Sequence, residues 1–169
     1  SLISLAAQSI KNLNWIDARV LSTDSEIYAQ EGRSAGLSCD FLRPSDLATD
    51  SSPAIDAMIH ALSNSEDILK SRFDILLWLE PTSPLRKGKQ VEDCLETLLS
   101  SGADSVVTVS KVDTKFHPAK VFKGDVDRIE FYESRGASVT QRQGLELLTY
   151  RNGICYALTR ECVLDKKKV

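Results

Sequence analysis

The residues Glu80-Pro81-Thr82-Ser83-Pro84-Leu85-Arg86 gather a carboxylate, two hydroxyls and a guanidinium into one short stretch. Two prolines fix the backbone there and remove two N–H donors. The run before it, Ile75-Leu76-Leu77-Trp78-Leu79, is continuously apolar and reads as a strand buried on both faces, as in a parallel sheet. In open α/β sheets, ligands bind at the carboxyl ends of strands. A rigid polar loop in that position suits a pre-shaped small-molecule site. The plain alternative is a tight strand-to-helix turn with Arg86 in solvent.

The elements that must carry this loop alternate along the chain. Leu2, Leu5, Ala6 and Ile10 have helical spacing, and Ala18–Leu21 reads as a short strand. Asp24 or Ser25 caps a helix that runs to about Ala35 and ends at Gly36. Residues 38–41 suggest a second short strand. Pro53 opens a helix whose apolar face is Ile55, Met58, Ile59 and Leu62. After the Ile75–Leu79 strand, Val91, Leu95, Leu98 and Leu99 mark a helix that stops near Gly102. The valine-rich run Ser105–Ser110 is the next strand. This alternation predicts an α/β fold: a three-layer, Rossmann-like sandwich with a mostly parallel sheet.

From about Lys111 the pattern changes. Residues 116–149 are mostly polar, with short apolar runs at Val121-Phe122 and Ile129–Tyr132 that predict a small antiparallel excursion. An excursion of ~40 residues is long for a loop and is usually functional. Its few short strands cannot bury an apolar side alone, which predicts a homodimer built on residues 113–150. Ile154–Leu158 then returns as a strand of the main sheet.

Composition narrows the class. The 169 residues suit one domain with a sizeable core. A net charge of −3 without a basic stripe argues against nucleic acid as a partner. No stretch approaches ~18 consecutive apolar residues, so no membrane span is expected. Cys39, Cys94, Cys155 and Cys162 are widely spaced, with no CxxC, which argues against zinc. Free thiols and the absence of a signal-peptide layout at Ser1–Leu5 predict a reducing, cytoplasmic setting.

Other blocks join the proline loop. They are Val20-Leu21-Ser22-Thr23-Asp24, then Phe41-Leu42-Arg43-Pro44-Ser45-Asp46-Leu47-Ala48-Thr49-Asp50, His117-Pro118-Ala119-Lys120, Arg142-Gln143, and Tyr150-Arg151-Asn152-Gly153-Ile154-Cys155-Tyr156. In this order and spacing they resemble the acylneuraminate cytidylyltransferases, the CMP-sialic acid synthetases and relatives that act on other nonulosonic acids. The resemblance runs from about Leu2 to Tyr156. It implies a nucleotide-diphospho-sugar transferase-like sandwich with a dimerisation lobe. It also implies an enzyme that moves CMP from CTP to a nonulosonic acid with magnesium, in carbohydrate biosynthesis. A catalytically incomplete α/β binding or assembly module is the alternative from a different class. A cytidylyltransferase for 3-deoxy-octulosonate fits the LRPxxLA and PTSPLR blocks less well.

The resemblance also implies roles for residues. Arg43 falls near the base of the nucleotide, and Thr82, Ser83 and Arg86 belong to the substrate loop. Lys120 faces the acid group of the sugar, Arg142 reaches across the dimer, and Asn152 supplies a polar contact. No catalytic residue is assigned. Ala54 stands where the family usually has a serine that touches the sugar. Glu80 stands where the family has glutamine. A carboxylate cannot donate to a sugar acid and would repel it. Glu80 therefore faces a group other than a carboxylate, turns elsewhere, or holds magnesium, whose ligands are hard oxygens; the plain alternative is a glutamate in solvent or paired with Arg86. His117 has no evident nucleophile or carboxylate partner in sequence, so no catalytic role is read there. The family's opening strand and phosphate loop and its closing acidic metal segment have no counterpart here. The resemblance thus implies a single cytidylyltransferase-like domain over 1–169 that is fragmentary at both ends, inactive alone, and left with an open apolar groove.

Overall fold

The computed structural model describes residues 1–139 and 144–168, and the chain divides into two compact units. The first comprises Ser1–Thr108 and Gly153–Val169; the second is Val109–Asn152. The second unit contains the whole of the excursion read from the sequence.

Helices α1 (Leu2–Ile10), α2 (Glu26–Ser34), α3 (Ala54–Leu69) and α4 (Gly88–Ser101) belong to the first unit. Strands β1 (Ile75–Trp78), β2 (Ser105–Lys111) and β5 (Thr149–Thr159) form one sheet in the order β1-β5-β2. Local chemistry sets the ends. The Ser1 and Ser25 hydroxyls accept from the amides of Ser4 and Tyr28 and so cap α1 and α2. Helix α4 stops at Gly102, whose φ of 66° is left-handed.

Strand β5 shows how the layers arise, because alternate side chains of a strand point to opposite faces. Cys155 and Ala157 pack with Ile10 and Leu13 and with Val91, Cys94 and Leu98 of α4. Tyr156 and Leu158 pack with Met58 and Leu62 of α3 and with Cys162 and Val163. Helices thus cover both faces of the sheet, and the layers match the sequence reading.

The strand directions call for a correction. β1 pairs with β5 antiparallel, Ile75 opposite Thr159 and Trp78 opposite Tyr156. Among the described residues, parallel pairing is recorded only as the bridge between Val20 and Ser38, where the sequence suggested two short strands. A mostly parallel sheet is therefore not what these pairings show. The continuous apolarity of residues 75–79 reports cover on both faces, which an antiparallel neighbour satisfies equally well.

One charged pair locks the corner where α3 meets the sheet. Glu66 of α3 accepts from the Phe73 amide at 3.0 Å and from Nε and Nη2 of Arg160 at 2.9 and 3.0 Å. These bonds, led by that to Arg160, hold the Glu66 carboxyl below its ordinary value. A carboxyl lowered by folding contributes stability that is complete above its unfolded value of 4.5 and fades as pH falls through the folded value. Glu66→Ala should therefore cost about 1–3 kcal/mol at pH 7. In urea melts the gap to the parent should shrink below about pH 4.5. A gap that stays constant to pH 3 would assign the loss to packing instead.

In the second unit, β3 (Phe122–Asp125) and β4 (Arg128–Phe131) pair antiparallel, as the sequence suggested. Phe122 and Phe131 lie opposite each other, with ring centroids 4.6 Å apart. The hairpin buries little. Phe122, Val126, Ile129 and Tyr132 are all more than half exposed.

Candidate functional site

The proline loop folds as two tight turns at the carboxyl end of β1. The Ser83 amide donates to the Glu80 carbonyl at 3.3 Å, and the Arg86 amide to the Ser83 carbonyl at 3.2 Å. Arg86 is not in solvent: it is 6% exposed. Its Nε donates to the Ile154 carbonyl, and its Nη2 to the carbonyls of Glu80 and Gly153. Burial lowers the pKa of the guanidinium, while Glu80 and the Cys155 thiol act to raise it. One side chain thus laces the loop to Gly153 and Ile154 of β5, about seventy residues away.

Glu80 is laid over the same spot. Its amide donates to the Gly153 carbonyl at 3.2 Å. A Cβ on Gly153 would stand 2.3 Å from Glu80 Oε2, and Gly153 has φ 69°. Both space and backbone therefore require glycine there. The carboxylate is half-buried and lines a cavity together with Ser22, Arg43 and Pro81.

Arg43 is positioned by its own amide, which donates to the Thr23 carbonyl at 2.8 Å. Its Nε, like Ser22 Oγ, is buried and lacks a partner among the described residues. Thr82 is exposed and Ser83 half-buried. The first unit thus brings Glu80 and Arg86 together and sets Arg43 on the cavity that Glu80 borders.

Lys120 and Asn152 belong to the second unit. Lys120 is half-buried, and its amide donates to the His117 carbonyl at 2.7 Å. His117 is 2% exposed, and its Nδ1 accepts from the Ala119 amide, so the ring pins its own turn. Asn152 Nδ2 donates to Ser110 Oγ at 3.0 Å. Arg142 lies outside the described residues.

Gly153, Ser22 and Thr23 were not singled out as site residues from the sequence. The signal for Gly153 was present in the block Asn152-Gly153, read there as backbone positioned against a ligand. Among the described residues, no three His, Cys, Asp or Glu side chains cluster as a metal site. All four cysteines are free and buried. Among the described residues, no helix is long and apolar enough to cross a membrane.

This site sits at a strand's carboxyl end in a helix-covered sheet, which is where α/β proteins act on small molecules. Comparison with known proteins narrows the class. No protein-family model matches the chain. It is 32% identical over 148 residues to an N-acylneuraminate cytidylyltransferase of Streptococcus agalactiae, covering 87% of this chain and 34% of that protein. It is 38% identical over 96 residues to a CMP-N,N'-diacetyllegionaminic acid synthase of Legionella pneumophila, covering 57% of this chain and 40% of that one. It is 28% identical over 170 residues to the post-translational flagellin modification protein B of Campylobacter coli, covering 99% of this chain and 70% of the relative. The chain therefore spans about a third of the length of the streptococcal relative. Over the part matched, these similarities support an acylneuraminate cytidylyltransferase-like family, the one the series of motif blocks resembles.

Proposed function

We propose that the protein, at its natural length, transfers CMP from CTP to a nonulosonic acid of the sialic or legionaminic type and releases pyrophosphate. The observation that supports this most is the meeting of two distant motif blocks. The loop Glu80–Arg86 and the segment Gly153-Ile154 come together through Arg86 and through Glu80 over Gly153. Their relatives carry cytidylyltransferase and CMP-sugar synthase names.

The chemistry is attack of a sugar hydroxyl on the α-phosphorus of CTP. The new bond is hydroxyl oxygen to phosphorus, the bond to the β-phosphate oxygen breaks, and the hydroxyl proton passes to solvent. Such a transfer asks mainly for in-line positioning and for neutralisation of charge. Arg43 and the loop of Glu80, Thr82 and Ser83 would shape the cytidine and sugar sides. Arg86 holds that loop still. By the same resemblance, Lys120 and Arg142 would fix the acid group of the sugar, and Asn152 would supply a polar contact. Magnesium, when bound, supplies charge neutralisation at the phosphates. Glu80 fits as one oxygen ligand of an ion that keeps waters and takes substrate phosphates besides one or two carboxylates.

A homodimer through residues 113–150 would cover the exposed Phe122, Ile129 and Tyr132. Rings and branched chains of that size, half in water, are what an interface buries. A cytoplasmic setting accords with the four free thiols. The test is pyrophosphate release by a polypeptide of natural length containing residues 1–169. Release should require both CTP and the nonulosonic acid. Tight CTP binding with no release under any sugar would favour the alternative, a binding module derived from this fold.

A further inference from the structure

We propose that Cys94 of α4 and Cys155 of β5 form a reversible disulfide when the protein meets hydrogen peroxide. The bond would be a redox-sensitive staple between the helix that follows the proline loop and the strand that seats it. The inference rests on the two thiols and is independent of the proposed reaction.

The two sulfurs share one place in the core. Cys94 Sγ lies 3.5 Å from the Val106 carbonyl oxygen and 3.9 Å from that of Cys155. The helix thus turns this thiol onto β2 and β5, although 61 positions separate Cys94 from Cys155 in sequence. Cys155 packs in the same buried cluster, with Ile10, Leu13, Val91 and Leu98. The two thiols hydrogen-bond to each other. A disulfide closes its sulfurs to about 2.05 Å, and thiols already in contact reach that by turning their side chains.

The strand residue is held in place for this. The Cys155 amide donates to Thr108 Oγ1 at 2.9 Å, and Thr108 Oγ1 donates to the Cys155 carbonyl at 3.0 Å. The other two thiols face main chain: Cys39 Sγ donates to the Leu37 carbonyl and Cys162 Sγ to that of Lys168.

The pair divides into attacker and resolver. The bond from Cys155 lowers the Cys94 thiol from its ordinary value. The same bond, with burial, raises Cys155, while the Arg86 guanidinium pulls it back. The thiolate is the nucleophile, so Cys94 reacts first. Its sulfur takes one oxygen from hydrogen peroxide and the other oxygen leaves as water. The Cys155 sulfur then displaces the hydroxyl from Cys94, and a second water leaves with the Cys155 proton. The two sulfurs lose two electrons and the peroxide gains them. With a resolving thiol in contact, the sulfenic acid is consumed before it oxidises further. Both thiols are buried, so the reaction waits on local opening of α4 and suits a small uncharged oxidant.

The staple sits where it bears on the loop. Helix α4 begins at Gly88, just after Arg86, and Arg86 Nε donates to the carbonyl of Ile154, the residue before Cys155. A bond between Cys94 and Cys155 therefore ties together the two elements on which the Arg86 seat depends.

Peptide mapping tests it. The polypeptide of natural length is treated with hydrogen peroxide, alkylated in denaturant and digested. The peptides holding Cys94 and Cys155 should be recovered joined, at about 2 Da below their summed thiol masses, and dithiothreitol should part them. In Cys155→Ser, Cys94 should instead go on to sulfinic acid, which dithiothreitol does not reverse. Hydrogen exchange at the Cys155 and Ala157 amides should be slower by about tenfold or more in the oxidised protein. Both thiols recovered alkylated, Cys94 found as sulfinic acid in the parent, or either cysteine joined to a different one overturns the pair. Exchange equal in the two forms overturns the staple.

Discussion

Arg86→Met should unfold the protein more readily than any other single change at the site, by about 3–5 kcal/mol. The guanidinium serves three carbonyls, those of Glu80, Gly153 and Ile154. A hydrogen bond to a charged group is worth about 1.5–3 kcal/mol, and an acceptor left buried without a donor costs a further ~1–3 kcal/mol. Water cannot readily replace the donor, since Arg86 is 6% exposed. Total stability of a domain is about 5–15 kcal/mol, so the loss is a large share of it. The melting temperature should fall by about 6 °C or more. Arg86→Lys should recover only part, because one ammonium cannot reach three carbonyls in the fixed fork of a guanidinium. Calorimetry reads the outcome. A change under about 2 °C would show that the loop is held by its prolines alone.

Glu80→Gln should act on chemistry and leave the fold almost untouched. The change keeps the side chain's shape over Gly153 and removes its charge. If Glu80 holds magnesium, the transfer rate should fall by over tenfold, about 1.4 kcal/mol or more, and more magnesium should be needed for half-maximal rate. If it faces the sugar instead, acceptance should broaden toward sialic acid, as repulsion between carboxylates is relieved. The metal role is the expected result. If neither rate nor sugar preference moves, Glu80 is a purely structural cover for Gly153. Gly153→Ala separates the two functions of the contact: it forces Glu80 aside by steric clash and strains the backbone at φ 69°.

Much of the fold was legible because its signals are periodic and local. The serine cap of α2 and the stop at Gly102 are short-range chemistry, and the face of Met58 and Leu62 follows helical spacing. The direction of β5 was not legible. Its apolar run says that both faces are covered, and that is equally true of parallel and antiparallel neighbours.

The site was legible as a loop and less so as individual side chains. Sequence placed Glu80–Arg86 at the end of a strand, where it lies. It read Arg86 as a substrate group or a solvated one; the structure buries it and gives it three main-chain acceptors. A guanidinium that binds carbonyls looks the same in sequence as one that binds a ligand. Gly153 likewise carries no chemical label, and its role emerges only when Glu80 is set beside it.

The measurement closest to the central claim follows the α-phosphorus. The polypeptide of natural length is given CTP labelled at the α-phosphate together with a nonulosonic acid and magnesium, and the products are separated by mass and charge. Attack at the α-phosphorus places the label in a CMP-sugar, in equal amount with unlabelled pyrophosphate. Label found in CDP beside a phosphorylated sugar would mean attack at the γ-phosphate. Either that result, or label remaining in CTP with every nonulosonic acid, would contradict a cytidylyltransferase.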